Sequence, residues 1–170
     1  TVAEYGVLDL AVNSAGIAGA ESLLHEQPVD DWDRVLRVNL FGIFHAMRAE
    51  IGAMVAGDRA GRIVNIASVQ ATNPLAKRPA YTASKFGVIG LTKHLATYWA
   101  AKGVRVNTLT PGGVESGQND TFKARYGARI PLGRMARADE MVGTMLFLVS
   151  DASSDVTGQN IAVDGGLSAW

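Results

Sequence analysis

The sequence RIVNIASVQATNPLAKRPAYTASKFGVIGL, residues 62–91, joins a strand pattern to a helix pattern through a short polar segment. Residues 62–67 are rich in β-branched side chains, which favours a strand that ends at Ser68. Across residues 79–102, apolar side chains recur at spacings of three and four, which predicts a long helix that ends at Gly103. A strand followed by a long helix is the repeating unit of α/β proteins, so this stretch predicts that class of fold.

The same pattern recurs on both sides of this stretch. Apolar or β-branched runs at residues 7–12, 104–109 and 160–163 predict three more strands, each followed by turn-forming residues. Helical spacing predicts further helices over residues 30–55 and 139–149. Strands that alternate with long helices imply a parallel sheet of about four strands, with helices on both faces.

The length and charge of the chain exclude several classes of function. Its 170 residues predict a single domain, within which the irregular segment 111–137 is long enough to be a substrate lid. Sixteen basic and sixteen acidic side chains balance, and the apolar runs are interrupted by polar residues, so neither nucleic acid nor a membrane is expected as a partner. The absence of cysteine favours a cytoplasmic location, and the three histidines show no metal-ligand spacing, so no metal site is expected.

Tyr81 and Lys85 lie four residues apart near the start of a predicted helix, which places them on one face. A free tyrosine has a pKa of about 10, so acid–base chemistry near neutral pH needs surroundings that favour the phenolate. An adjacent ammonium supplies part of that effect. Ser68, at the end of the preceding strand, belongs to the same βα unit and would direct its hydroxyl toward Tyr81. On spacing alone, such a pair is more often ordinary packing, and both interpretations stay open at this point.

Other polar or small residues stand where ligands bind in such sheets, beyond the carboxyl ends of the strands. NSAG, residues 13–16, follows the first predicted strand, and PGGVES, residues 111–116, follows the third. Each also fits an ordinary turn. Asn39 is a polar residue inside the helix predicted for residues 30–55, where a hydrogen bond to the backbone would satisfy it without any catalytic role.

Together, NSAG, the VNLFGIF motif around Asn39, Ser68 with YTASK, and PGGVES resemble the short-chain dehydrogenase/reductase family. The resemblance runs over the whole chain, because VTGQNIAVDGG also resembles the family's terminal strand. It implies a partial doubly wound, Rossmann-like parallel sheet. It also implies an oxidoreductase that interconverts an alcohol and a ketone or aldehyde by hydride transfer with NAD or NADP.

The resemblance assigns a role to each matching residue. Tyr81 would be the general acid–base, Ser68 would hydrogen-bond the substrate oxygen, and Lys85 would assist Tyr81 and contact the nicotinamide ribose. Asn39 would complete the catalytic set by holding a water that links Lys85 to solvent. The residues implied in cofactor binding are Asn13, Ala15, Gly16, Tyr81, Lys85, Pro111, Gly112, Val114 and Ser116.

The sequence lacks the Gly-rich phosphate loop with which a dinucleotide-binding fold normally begins. Matched to the family, it starts just before the fourth strand, so we expect an N-terminally truncated domain with an exposed strand edge and weak cofactor binding. Three functions stay open. The chain is an enzyme acting on a small carbonyl or alcohol substrate, a non-catalytic remnant or interaction module that cannot hold the full dinucleotide, or an enzyme of altered activity that uses Tyr81 and Ser68 on a flat or apolar substrate. In each case, apolar helices and the bare edge favour a homodimer or homotetramer.

Overall fold

The computed structural model describes residues 1–169. At its centre is a sheet of four parallel strands: β1 (Leu10–Asn13), β2 (Arg62–Ile66), β3 (Arg105–Pro111) and β4 (Asn160–Val163). They are hydrogen-bonded in the order β1-β2-β3-β4, so each strand pairs with its neighbours in the sequence. This arrangement confirms the predicted α/β class and the number of strands.

Helices separate the strands. In the described part of the chain the α-helices are α1 (Val2–Tyr5), α2 (Val29–Leu36), α3 (Gly42–Ala56), α4 (Pro79–Trp99), α5 (Asp120–Gly127) and α6 (Val142–Val149). Proline is favourable in the first turn of α4 because the N–H that it lacks would have no helical partner there. A 3₁₀ turn extends α4 to Gly103, whose φ of 74° is left-handed and ends the helix. No helix within residues 1–169 combines the length and the apolar character needed to cross a membrane.

The helix predicted over residues 30–55 is present but is not uniform. A π-helical turn, Arg37–Phe41, joins α2 to α3 without a break. Such turns are rare and often occur at functional sites, because the extra residue widens the helix locally. This one contains Asn39, whose side chain is fully buried. Hydrophobic spacing alone could not predict it.

The bounds of β1, β2 and β3 differ from the prediction by one to three residues. β1 begins at residue 10 instead of 7 and includes Asn13, which the sequence pattern had placed in a turn. Asn13 pairs in register with Asn65 of β2 and donates a side-chain hydrogen bond of 2.9 Å to its Oδ1, so a partner in the next strand extends the sheet. β3 continues past residue 109 to Pro111, which pairs in register with Val163 of β4.

Helices pack on both faces of the sheet, as predicted. On one face, α3 and α4 contribute Met47 and Val88 to a core that includes Ile63 of β2. On the other face, α6 contributes Leu148 to a second core with Val64. Ile63 and Val64 are consecutive strand residues, so their side chains point to opposite faces and each anchors one core.

β1 is an edge of the sheet within residues 1–169. Leu10 and Val12 are 46% and 48% exposed, whereas Ala11 between them is buried against α3. One face of this strand is therefore open to solvent, in agreement with the expected exposed edge.

Candidate active site

The carboxyl ends of β1, β2 and β3 open into one cleft of about 420 Å³. This is the edge at which ligands bind in parallel α/β sheets. The predicted site residues that line it are Gly16, Ser68, Tyr81, Lys85, Pro111 and Gly112. The other lining residues are Ser14, Ile17, Ala18, Ile66, Ala67, Gln70 and Arg78. The fold thus brings three of the four predicted catalytic side chains to one place.

Lys85 is the buried cation of the cleft. It is 3% exposed, and its Nζ donates a hydrogen bond of 2.8 Å to the backbone carbonyl of Ile66 at the end of β2. Burial lowers the pKa of Lys85 to about 8, because a desolvated ammonium loses its hydration. Nζ lies 5.7 Å from the centroid of the Tyr81 ring, one turn earlier on α4. Below about pH 8, Lys85 is therefore a fixed positive charge beside Tyr81.

Ser68 follows β2 and begins a 3₁₀ turn, Val69–Ala71, with its own backbone extended. Its Oγ accepts a hydrogen bond of 3.2 Å from the backbone N–H of Gln70. A hydroxyl that accepts one hydrogen bond can still donate its proton, so Ser68 can serve as a donor to an oxygen in the cleft. Half-buried Tyr81 enters the same cleft from the first turn of α4.

Asn39 does not line the cleft but fixes the loop that does. Its Oδ1 accepts a hydrogen bond of 2.8 Å from the N–H of Ile17, and its Nδ2 donates one of 2.9 Å to the carbonyl of the same residue. Nδ2 also donates to Ser84 Oγ on α4 at 3.1 Å. A Cβ at Gly16 would lie 3.4 Å from Asn39 Oδ1 and 3.6 Å from Lys85 Nζ. Asn39 therefore ties the loop after β1 to α4, and its predicted contact with a water stays a prediction.

The side chain of Asn13 forms hydrogen bonds with residues of α3 and β2 and does not line the cleft. Its Nδ2 donates to Glu50 Oε2 on α3 at 3.1 Å, in addition to Asn65 Oδ1. Asn65 in turn donates to Thr92 Oγ1 on α4 at 2.9 Å. Burial raises the pKa of Glu50, and the hydrogen bond from Asn13 opposes that shift. Asn13 thus begins a polar chain that links β1 to both helices, and its contact with a cofactor stays a prediction.

Three further residues predicted for cofactor binding also stand outside the cleft lining. Val114 forms an isolated parallel bridge with Ala136, which closes the base of the segment 111–137. Ser116 is exposed, and Gln118 Nε2 donates a hydrogen bond of 3.0 Å to its Oγ. Ala15 is exposed in the loop after β1. Their predicted contacts with a cofactor remain untested by this geometry.

Tyr126, in α5, stands beside the cleft. A Cβ on Gly113 would collide with Cε1 of Tyr126, so the ring lies against this glycine, which follows the cleft residue Gly112. Burial raises the pKa of Tyr126; Arg129 opposes that shift, whereas Tyr81 adds to it. Tyr126 therefore packs α5 against Gly113, next to the cleft.

The arrangement can exchange a proton with a bound oxygen and hold that oxygen in place. A tyrosine whose ring lies near an ammonium is a residue type suited to proton exchange, and a serine hydroxyl suits hydrogen bonding to a developing oxyanion. No group of three or more His, Asp or Glu side chains that could hold a metal ion is present within residues 1–169. Tyrosine, serine and lysine are residue types that acid–base catalysis uses.

A family model described as enoyl-(acyl carrier protein) reductase matches residues 1–168. The chain belongs to the short-chain dehydrogenase/reductase family. Because the match covers almost the whole chain, it confirms the resemblance seen in NSAG, YTASK and PGGVES.

Relatives of this short-chain dehydrogenase/reductase include both reductases and dehydrogenases. The 3-oxoacyl-(acyl-carrier-protein) reductase FabG of Thermotoga maritima is 43% identical over 170 residues, which cover 98% of this chain and 68% of the relative. Trans-4-hydroxycyclohexanecarboxylate dehydrogenase of Sinomonas cyclohexanicum is 41% identical over 168 residues, 99% of this chain and 63% of the relative. The structure of an NAD⁺-bound xylitol dehydrogenase has a TM-score of 0.91 at 30% identity and covers 97% of this chain and 71% of that one. The chain thus spans about two thirds of the length of the proteins it matches.

The motifs of the short-chain dehydrogenase/reductase family did not reveal every residue of the cleft. Gln70 lies two residues after Ser68, so its position shortly after the end of β2 could have predicted it as a cleft residue. Arg78 precedes α4 and reaches the cleft while donating a hydrogen bond of 2.6 Å to the carbonyl of Gly19. Tyr126 does not line the cleft, but it packs against Gly113 beside the cleft through a tertiary contact that no local pattern shows.

Proposed function

We propose that this short-chain dehydrogenase/reductase interconverts an alcohol and a ketone or aldehyde with NAD or NADP, with Tyr81 as the general acid–base. The observation that carries the proposal is the ammonium of Lys85, held 5.7 Å from the Tyr81 ring centroid in the cleft that also contains Ser68. A cation at this place favours the phenolate that proton exchange requires. The names of the two relatives, a reductase and a dehydrogenase, support the same class of chemistry.

The lining of the cleft fits the nicotinamide end of such a cofactor. Gly16, Ala18 and Gly112 have small or no side chains, and a larger side chain at position 16 would enter the space beside Lys85. Lys85 uses one of its three N–H donors on Ile66, so two remain for oxygen acceptors such as ribose hydroxyls. When bound, the nicotinamide supplies or accepts the hydride.

The chain's own residues handle the proton and the substrate oxygen. In reduction, the Tyr81 hydroxyl donates its proton to that oxygen as negative charge develops there, and in oxidation the Tyr81 phenolate removes the proton from the alcohol. The Ser68 hydroxyl donates a hydrogen bond to the same oxygen and so holds the reacting carbon in position. Lys85 stabilises the phenolate because it is still protonated at neutral pH.

The remaining predicted residues would surround the rest of the cofactor. We assign Asn13 and Ala15 to its adenosine side, and Val114 and Ser116 to the wall near the nicotinamide, while Gly16 lies beside Lys85. Asn39 is a positioning residue, because its hydrogen bonds to the backbone of Ile17 hold the loop that contains Gly16.

The test is oxidation of NADH or NADPH by the purified chain with a panel of cyclic ketones, 3-oxo acids and ketoses. Turnover that is lost in Ser68→Ala supports the proposal. A folded chain that turns over none of these substrates with either cofactor contradicts it.

A second candidate function is a non-catalytic interaction module. The observation that favours it is the exposed apolar face of β1, where Leu10 and Val12 are about half exposed. A folded chain that binds neither NAD nor NADP would identify this function, whereas saturable cofactor binding would exclude it.

We further propose that two or four copies associate through α3 and α4. A groove of about 590 Å³ lies between these helices, and its lining is mostly apolar, with Phe44, Leu91, Leu95 and Trp99 among its residues. Phe44 is 45% exposed, which is unfavourable for so large an apolar side chain in water. A stable interface buries roughly 800 Å² on each partner, an area that two such helices can supply.

A further inference from the structure

One face of α5 forms a depression of about 620 Å³. We call it the α5 face, and it is lined by Asn119, Thr121, Phe122, Arg125, Tyr126 and Arg129. The rings of Phe122 and Tyr126 stack on it, with centroids 5.8 Å apart and an interplanar angle of 20°. Cavities of roughly 300–1,000 Å³ are typical of small-molecule sites, so the depression has the size of a substrate site.

Two positive charges on this face have no partner. Arg125 and Arg129 are exposed, and neither forms an ion pair with any residue in the described range 1–169. Lys123 of the same helix, by contrast, pairs with Glu115 at 3.3 Å. The nearby carboxylate of Asp164 accepts hydrogen bonds from two backbone N–H groups. The α5 face is therefore free to receive an anion from outside.

Tyr126 connects the α5 face to the catalytic cleft. Its ring lies against Gly113, next to the cleft residue Gly112. Tyr126 therefore stands between the α5 face and the end of the cleft at Gly112.

We propose that the α5 face binds the carboxylate of the substrate, with Arg125 and Arg129 as its ligands, so that the enzyme acts on hydroxy acids and oxo acids. The inference rests on the proposed function, because it assigns the reacting oxygen to Tyr81. A guanidinium donates paired hydrogen bonds that match the geometry of a carboxylate. The aromatic pair, Phe122 and Tyr126, covers the carbon frame between the two ends.

D-Gluconate and D-glucitol are a matched pair of probes, because they differ only in whether one terminal carbon is a carboxylate or an alcohol. Each is titrated into the full chain, and the backbone amide signals of α5 are followed by NMR. Gluconate is expected to shift these signals and to bind about tenfold more tightly than glucitol, because a guanidinium forms stronger hydrogen bonds with a carboxylate than with a neutral hydroxyl. The variant Arg125→Gln/Arg129→Gln should lose this preference.

The matched control is Lys93→Gln/Lys102→Gln, which removes two exposed positive charges near the far end of α4 and should keep the preference. Equal binding of the two probes, or a preference for gluconate that survives in Arg125→Gln/Arg129→Gln, would overturn the inference. The titration measures binding without turnover, so its result can refute the anion site on the α5 face independently of the proposed function. An inactive chain that still prefers gluconate would refute the proposed function alone, and an active chain without the preference would refute the anion site alone.

Discussion

The ammonium of Lys85 lies 5.7 Å from the centroid of the Tyr81 ring, one turn away on the same helix. Its hydrogen bond to the carbonyl of Ile66 fixes the charge at the end of β2. Because burial lowers the pKa of Lys85 to about 8, this charge is present at neutral pH and lost in mildly alkaline solution. The electrostatic support for a Tyr81 phenolate therefore depends on pH, and so does the stability of the fold.

The first prediction concerns that stability. In the folded chain Lys85 loses its proton near pH 8, and in the unfolded chain near pH 10.5. Between these values the unfolded state binds more protons, so the free energy of unfolding rises with pH. Loss of the Lys85 proton should add about 2–3 kcal/mol to the free energy of unfolding between pH 8 and pH 10. Urea unfolding at several pH values measures the change.

Lys85→Met should lack this rise, because methionine has no proton to release. The exposed Lys93 on the same helix provides the control, and Lys93→Met should follow the wild-type pH profile. If the free energy of unfolding changed with pH in the same way in wild type and Lys85→Met, burial would not lower the pKa of Lys85.

The second prediction concerns Asn39. Replacing it by alanine leaves the N–H and the carbonyl of Ile17 without partners, which should lower the free energy of unfolding by about 2–4 kcal/mol. Asn107 ties the backbones of Val156 and Gln159 in the same two-sided way, far along the chain from this loop. Asn107→Ala should therefore lower the free energy of unfolding by a similar amount.

Only Asn39→Ala should speed hydrogen exchange in the loop at residues 14–20, because only Asn39 fixes that loop. Hydrogen-exchange mass spectrometry distinguishes the two variants. Equal protection of this loop in both would show that Asn39 stabilises the helices without positioning the cleft.

The third prediction is that the chain binds NAD and NADP weakly, with a Kd nearer the millimolar than the micromolar range. Within residues 1–169, the cations that line the cleft are Arg78 and Lys85, and Arg78 already pairs with Glu21 at 2.6 Å. No unpaired arginine of the lining is thus available to a pyrophosphate, whereas the space beside Lys85 suits a ribose. Nicotinamide mononucleotide should therefore bind almost as well as the dinucleotide in calorimetry.

Gly16→Val should abolish this binding, because its side chain would occupy the space beside Lys85. A Cβ at Gly143 on α6 would meet no other atom within 4 Å, so Gly143→Val is the control that should bind normally. Submicromolar binding of the dinucleotide by the wild type would contradict the prediction.

The fourth prediction is that the chain sediments as a dimer or tetramer at low micromolar concentration. Phe44→Asp places a charge in the groove between α3 and α4 and should yield monomers. Leu24→Asp makes the same kind of change at a residue that is 70% exposed in the 3₁₀ turn before α2, and it should leave the assembly intact. A cooperative wild-type monomer would refute the proposed interface.

The sequence predicts well what local geometry determines. Ser68 and Tyr81 share one βα unit, so the strand end and the helix start bring them to the same cleft without help from distant residues. Asn13 was placed wrongly in a turn because its strand conformation depends on Asn65, 52 residues away. The π-helical turn at Asn39 and the approach of Tyr126 likewise depend on tertiary contacts, which hydrophobic spacing does not encode.

The most direct test of the account compares Tyr81→Phe with Tyr98→Phe in the reduction of the best ketone of the panel. Both tyrosines lie on α4, and Tyr98 is 69% exposed and outside the cleft. Loss of the proton donor should lower kcat/KM of Tyr81→Phe by about 100-fold to 10,000-fold, with a thermal midpoint within about 2 °C of wild type, while Tyr98→Phe keeps full activity. Wild-type activity in Tyr81→Phe, or no turnover by the folded wild type, would contradict the assignment of Tyr81 as the acid–base group.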